Sequence, residues 1–157
     1  MITVQNRRDE ALQAGYVSLA GRISIPFDAF AKALEAWDVK AFCKGEDVVG
    51  MLMVRDNELH VAVLPEVRGR WLSRGLIREV IGPLVRQYGA ARTKVAQDND
   101  IGAEFCRRIG FAQTEGDEIA LLREGFERKF FDPTTALIGA GASLLGGVCL
   151  LYTSPSP

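Results

Sequence analysis

Apolar and polar residues change their spacing several times along the chain, and each change marks an element. Up to residue 37 the apolar positions recur at helical intervals. Asp9–Leu19 and Phe27–Trp37 therefore read as helices, the second rich in Ala and Leu with Asp28 near its start. The period then shortens to two. Lys40–Cys43 opens a strand, Glu46-Asp47 turns into Val48–Val54, and Glu58–Leu64 alternates after Asp56-Asn57. In that last run Leu59, Val61 and Val63 share one side, and His60, Ala62 and Leu64 share the other. Two apolar-rich runs around a short Asp/Asn turn predict an antiparallel hairpin. Pro65, which has no donor for a ladder, closes it.

Arg68–Arg74 follows as a loop with three arginines and Gly69, and Ser73 is placed to cap the next helix. Leu76, Ile77, Val80, Ile81, Leu84, Val85 and Tyr88 form a buried helical stripe that stops at Gly89. Pro83 lies inside it and is expected to bend or split the helix near Ile81. Arg92–Gln97 reads as a strand. Asp98 or Asn99 caps a helix over Asp100–Ile109, Gly110 stops it, and Gln113–Thr114 and Glu118–Arg123 form a final strand pair. An antiparallel start followed by strand, helix, strand, helix, strand predicts a mixed sheet covered by helices. This is a three-layer α/β domain over residues 1–125, with 126–157 as an appendage.

The chain has 157 residues, of which 48 % are hydrophobic and 25 % charged, which excludes whole-chain disorder and collagen-like repetition. Three cysteines and one histidine exclude a framework of several disulfides and a clustered zinc site, and they point to a reducing compartment. Arg7, Arg8, Asp9 and Glu10 interrupt any apolar leader, so a cytoplasmic location is expected. Net charge is −1, yet residues 67–111 carry nine Lys/Arg against four Asp/Glu. A basic middle in a near-neutral chain fits a local anionic ligand better than a surface coated by nucleic acid. After Asp132 no charge occurs. The 17 residues ALIGAGASLLGGVCLLY (136–152) lie at the lower edge of a membrane span, and their four glycines weaken them as a helix.

The strand, loop and helix at 58–88 carry the candidate chemistry. Unpaired amides at a helix start, with Arg68, Arg70 and Arg74 beside them, make a phosphate cradle. RGRWLSR lacks both the GxxxxGK[ST] loop and the three-glycine dinucleotide pattern, so ATP hydrolysis and nicotinamide chemistry lose support. Nucleic-acid binding through Arg68, Arg70, Arg74, Arg78 and Arg86 has no strong case, because Trp71 is the main aromatic among them.

ELHVAVLPEVRGRWLSRGLIREVIGPLV and then RTKVAQDNDIGAEFCRRIGF resemble the Gcn5-related N-acetyltransferase (GNAT) family, over about residues 1–123 and firmly over 48–111. The resemblance implies a three-layer α/β/α fold whose mixed sheet is splayed at its centre. It also implies acetyl transfer from acetyl-CoA to a small-molecule or peptide amine by direct attack. The family's [Q/R]xxGx[G/A] loop, which grips the pyrophosphate, corresponds to Arg68, Gly69, Arg70, Trp71, Leu72 and Ser73. Trp71 and Ser73 stand at the two small positions. An indole there either presses into the pyrophosphate space, or shifts the backbone, or lies outward over the pantetheine arm.

Asn99 takes the position that usually hydrogen-bonds near the pantetheine, and Gly110-Phe111 closes the block. Cys106 stands where the family has a general-acid Tyr, although on an apolar helix face it also reads as inert core. A general base must free the amine lone pair. Glu58 and His60 are the candidates, with Glu66 the remaining carboxylate, and His60 also reads as a satisfied structural histidine. The backbone N–H of Val63 or Leu64 would polarise the thioester carbonyl.

The RGRW loop also resembles acetyltransferase-like proteins of short-tailed phages, and DPTTALIGAGASLLGG is similar to Gly/Ala-rich openings of phage structural or ejection proteins. This implies an alternative: a catalytically inactive, virion-associated protein with virion partners, with membrane contact through its tail. If phage-encoded, the protein is expected in the host cytoplasm or the virion. CLLYTSPSP at 149–157 resembles a translated sequencing-adapter run, which implies a chain truncated there.

Overall fold

A computed structural model describes residues 1–69, 71–96, 99–116 and 118–131. Seven strands form one sheet: β1 (Ile2–Gln5), β2 (Asp38–Lys44), β3 (Asp47–Arg55), β4 (Glu58–Val63), β5 (Ala90–Lys94), β6 (Ala112–Glu115) and β7 (Glu118–Leu122). Their order is β1-β2-β3-β4-β5-β7-β6. Every pairing is antiparallel except β4 with β5, which are parallel. Helices α1 (Arg8–Ser18) and α2 (Phe27–Ala33) precede β2, while α3 (Arg74–Tyr88), α4 (Asp100–Ile109) and α5 (Arg123–Phe131) follow β4, β5 and β7.

The alternation along β4 builds two cores. Leu59, Val61 and Val63 pack with Ile77, Ile81 and Val85 of α3, Phe105 and Ile109 of α4, and Phe126 and Phe130 of α5. Ala62 turns the other way, to Leu12 of α1 and Phe30 of α2. The mixed three-layer α/β architecture is as the pattern predicts. Gly50 lets β4 close on β3: a Cβ there would lie 2.7 Å from the Ala62 carbonyl oxygen.

The differences from expectation have local causes. Ile2–Gln5 forms an edge strand too short to show a period, held by its register against Ala41–Lys44. The second helix ends at Ala33, four residues early, because Arg8 reaches over and donates to the carbonyls of Leu34 (2.8 Å) and Trp37 (2.7 Å). The strand expected at 92–97 starts at Ala90 and ends at Lys94. Pro83 does not split α3, which runs unbroken from Arg74 to Tyr88. Pro83 and Glu79, whose carbonyl loses its helical donor, are both exposed, so that carbonyl is open to solvent.

The domain boundary expected near residue 125 falls inside α5. Phe126 and Phe130 are core residues, their ring centroids 5.2 Å apart. Two arginines of α3 hold the end of this helix. Arg74 donates to the Lys129 carbonyl (2.9 Å) with its guanidinium 5.0 Å from the Phe130 ring, and Arg78 donates to the Phe130 carbonyl (3.1 Å). The uncharged segment from 133 onward lies outside the described residues. Among those described, no helix is long and apolar enough to cross a membrane. Phe126→Ala should lower the unfolding free energy by about 3–5 kcal/mol in urea titrations; a loss below about 1 kcal/mol would mean that α5 does not belong to the core.

Candidate active site between two diverging parallel strands

β4 and β5 pair at one register, Glu58 opposite Arg92, where the Arg92 N–H donates to the Asn57 carbonyl (2.7 Å). The Asn57 side chain ties the junction further, donating to the Ala90 carbonyl (3.1 Å) and accepting from Arg92 Nε (2.9 Å). Beyond it the strands go with different neighbours. β4 stays on β3, with the Leu64 N–H donating to the Val49 carbonyl (2.8 Å), while β5 stays on β7 as far as Lys94 opposite Glu118. Successive N–H groups of a strand point to opposite edges, so with Leu64 turned to β3 the Val63 N–H faces the opening. Of the two amides expected to polarise a carbonyl, Val63 is the one directed there. The Val63 carbonyl, on the same edge, accepts from Arg68 Nε (3.3 Å).

Arg68 thus meets backbone. Its Nη2 donates to the Ser18 carbonyl at the end of α1 (3.2 Å). Arg74, likewise expected at a phosphate, is drawn to α5, and burial together with Arg78 pushes its guanidinium below its ordinary pKa. Gly69 turns the loop with φ +91°, a conformation that suits glycine. Leu72 is half-buried. Ser73 caps α3 as expected, its Oγ accepting from the Leu76 N–H (3.1 Å), and no acidic side chain stands in the first turn. Arg70 lies outside the described residues.

Of the expected poses, Trp71 does not take the outward one. Its ring turns inward and is 3 % exposed, 5.1 Å from Phe42 of β2 and stacked at 6.3 Å on Phe105 of α4. The cavity left beside it, about 30 Å³, is lined by Leu59 and Val61 of β4, Thr93 of β5, Ile77 of α3 and Cys106 of α4. That space holds about one water molecule. Cys106 is 1 % exposed within this wall. Asn99 caps α4, its Oδ1 accepting from the Gly102 N–H (3.0 Å).

On the other face of β4, His60 is 6 % exposed and its Nε2 lies 2.7 Å from Glu58 Oε2. A carboxylate only accepts, so the proton sits on Nε2 and Nδ1 is the basic nitrogen. Trp37 stands edge-on to the imidazole at 5.5 Å, with the Arg55 guanidinium over the indole at 4.5 Å. Burial is the largest influence on His60, and with Lys94 and Arg55 nearby it outweighs the Glu58 carboxylate, setting the imidazole below its ordinary 6.5. Burial raises the Glu58 carboxyl, but the His60 hydrogen bond and the charges of His60, Lys94 and Arg92 outweigh it and leave Glu58 below 4.5. The imidazole is therefore neutral and the carboxylate ionised at pH 7.

No protein-family model and no curated protein matches the sequence. Solved structures do. Mutant forms of the spermidine/spermine N-acetyltransferase SpeG from Vibrio cholerae superpose with a TM-score of 0.63 at 13 % identity, covering 80 % of this chain and 95 % of that one. The ribosomal-protein-S18-alanine N-acetyltransferase from Escherichia coli gives 0.53 at 17 %, covering 78 % and 94 %. A GNAT-family protein from Desulfovibrio desulfuricans gives 0.58 at 16 %, covering 78 % and 99 %.

The fold is that of the GNAT acetyltransferases. On this sheet Arg68, bonded to the Val63 carbonyl, and Phe105 and Cys106 of α4, at the cavity wall, stand beside the opening between β4 and β5. Toward the acetyl-CoA arm that this fold implies, the site offers the Val63 N–H, which faces the opening, and Trp71 Nε1 and Thr93 Oγ1, which are buried against the cavity without hydrogen-bond partners. The cavity beside the buried indole, about 30 Å³, is too small for such an arm with the ring in this pose.

A single histidine makes the pair measurable. Neutral His60 stabilises the fold above pH 6.5, and this contribution is lost as pH falls through its lowered value. NMR titration should give a His60 midpoint below 6.5, and lower still in Glu58→Gln, where the attracting carboxylate is gone. A midpoint above 6.5 would show that the carboxylate dominates.

Proposed function

We propose that the protein transfers an acetyl group from acetyl-CoA to a primary amine. One observation carries the reading: the two parallel strands diverge immediately beyond their junction, with the Val63 N–H turned into the opening and a Glu58–His60 pair on the same strand. Acetyl-CoA, when bound, supplies the acetyl group activated as a thioester. The Val63 N–H is a fixed donor for a carbonyl oxygen that gains negative charge. Ser73 leaves the first amides of α3 open to an anion at the loop.

An amine arrives as an ammonium ion and must lose a proton before it attacks. Glu58, the more exposed end of the pair, attracts it electrostatically and is the carboxylate that takes up its proton, while the His60 Nε2–H donates to that carboxylate and holds it in place. Cys106 is assigned to the cavity wall and Asn99 to the helix cap, without a proton-transfer step. SpeG and the ribosomal-protein-alanine enzyme are N-acetyltransferases for a polyamine and a protein amine, which supports an amine acceptor of either size.

A second reading, a GNAT fold kept without turnover as in a virion-associated protein, is favoured by the buried Trp71 ring and the small cavity left beside it. Calorimetric titration with acetyl-CoA separates the two. Micromolar binding, with thiol release when spermidine or an alanine-terminated peptide is added, supports the enzyme; no binding at millimolar ligand supports the inactive protein. In the first case Glu58→Gln should lower kcat by about 10²–10⁴-fold and leave acetyl-CoA affinity unchanged.

A further inference from the structure

The core that α1 and α2 build on the sheet stops at β4. It takes residues of β2, β3 and β4 and, among the described residues, none of β5, β6 or β7. Alternation along β5 turns Ala91, Thr93 and Val95 to the core beneath α3 and α4, so Arg92 and Lys94 point to the other side, beyond that cover. Glu58 and His60 point to the same side from the last covered strand.

The pair therefore borders an open strip of sheet, and the charges around it are unequal. Arg55 stands opposite Glu58 on β3, and Arg92 stands opposite it on β5. Lys94 follows two residues along β5, roughly 6–7 Å. The two carboxylates of this strip are both engaged. Glu58 is held by His60, and Glu118 accepts from Arg92 at 3.0 Å and from Thr114 Oγ1 at 3.3 Å. Arg55 and Lys94 are exposed, and neither pairs with a carboxylate among the described residues. Trp37 holds the Arg55 guanidinium over its ring at 4.5 Å, beside His60. The same cations act on the pair: Lys94 and Arg92 help to keep Glu58 ionised, and Lys94 and Arg55 help to keep His60 neutral.

That balance selects among amines. A polyamine brings further ammonium groups against a rim that is already cationic, whereas a carboxylate on the acceptor gives Lys94 or Arg55 the partner that the chain does not supply. We infer that the acceptor is an amine carrying a carboxylate a few bonds away, its ammonium meeting Glu58 and its carboxylate meeting Lys94, with Arg55 beside it. Free amino acids and peptides with acidic residues after the N-terminus share this chemistry. The inference rests on the proposed function and names its substrate class.

Rates on the whole protein with glutamate, the peptides Ala-Glu-Glu and Ala-Gln-Gln, and spermidine test it. With acetyl-CoA present, kcat/KM for Ala-Glu-Glu should exceed that for Ala-Gln-Gln by about ten-fold, and that for spermidine by more. Glutamate against Ala-Glu-Glu distinguishes a free amino acid from a peptide N-terminus. Lys94→Gln should cut the acidic preference by about ten-fold, and Lys94→Glu should reverse it in favour of spermidine. Equal rates for the two peptides, or spermidine fastest in wild type, would overturn the inference and leave acetyl transfer standing. A second readout needs no acetyl-CoA, because the single histidine lies at the site. Ala-Glu-Glu alone should shift the His60 NMR signal more than Ala-Gln-Gln or spermidine does, and Lys94→Glu should abolish the difference. Lys94→Gln should also raise the His60 midpoint, since a cation that lowers it is gone. If no amine is acetylated, the proposed function falls; if the His60 signal then also ignores the acidic peptide, the acidic-amine site falls with it.

Discussion

The seven strands behave as two half-sheets joined at Glu58 and Arg92. An antiparallel partner on the far side of each strand holds β4 and β5 more firmly than they hold each other. β4 has six paired residues on β3, and β5 has five on β7. Opening a sheet at its centre leaves backbone groups without a ladder, and buried ones must be satisfied elsewhere. Arg68 answers for one of them by donating to the Val63 carbonyl. An arginine placed by sequence at a phosphate is thereby bound to the edge of the opening, and its second contact, to Ser18, ties α1 to the same place.

The period of a strand then distributes the chemistry. Glu58 and His60 have even positions on β4 and share the face of Ala62, covered by α1 and α2. Leu59, Val61 and Val63 belong to the opposite face, where Trp71, Thr93 and Cys106 meet. A strand two residues out of register would keep both cores, but one residue of slip would exchange the faces and bury Glu58 among leucines and phenylalanines. The Glu58–His60 pair and the row Leu59, Val61 and Val63 therefore lie on opposite faces of one strand.

Much of this is legible without coordinates. The hairpin of β3 and β4, the Ser73 and Asn99 caps, the Gly89 and Gly110 stops and the pair of candidates Glu58 and His60 follow from short-range rules, because each depends on neighbours within a few residues. What cannot be read is set by distant partners. Arg8 ends α2 from 26 residues away, and Arg74 and Arg78 reach more than 50 residues to α5. Their charge is visible in sequence, but the carbonyls that claim them are not. Phe126 and Phe130 fall in the expected appendage because the strand pattern has ended, although two phenylalanines one helical turn apart are an apolar stripe in miniature. The loop's small-residue pattern alone misplaces Trp71; its actual place depends on Phe42 and Phe105, from two other layers.

The energetics of Trp71 decide how the opening behaves. Burying an indole removes about 150–250 Å² from water, worth roughly 4–6 kcal/mol, against about 1–3 kcal/mol for the orphaned N–H. The inward pose wins by a few kcal/mol, so the outward one is a minor state. A preference of about 3 kcal/mol weakens the apparent affinity of any ligand that needs the ring displaced by on the order of 10²-fold. A ligand that refilled the apolar volume against Phe42 and Phe105 would recover part of that deficit, and a small anion that touched only the start of α3 would not.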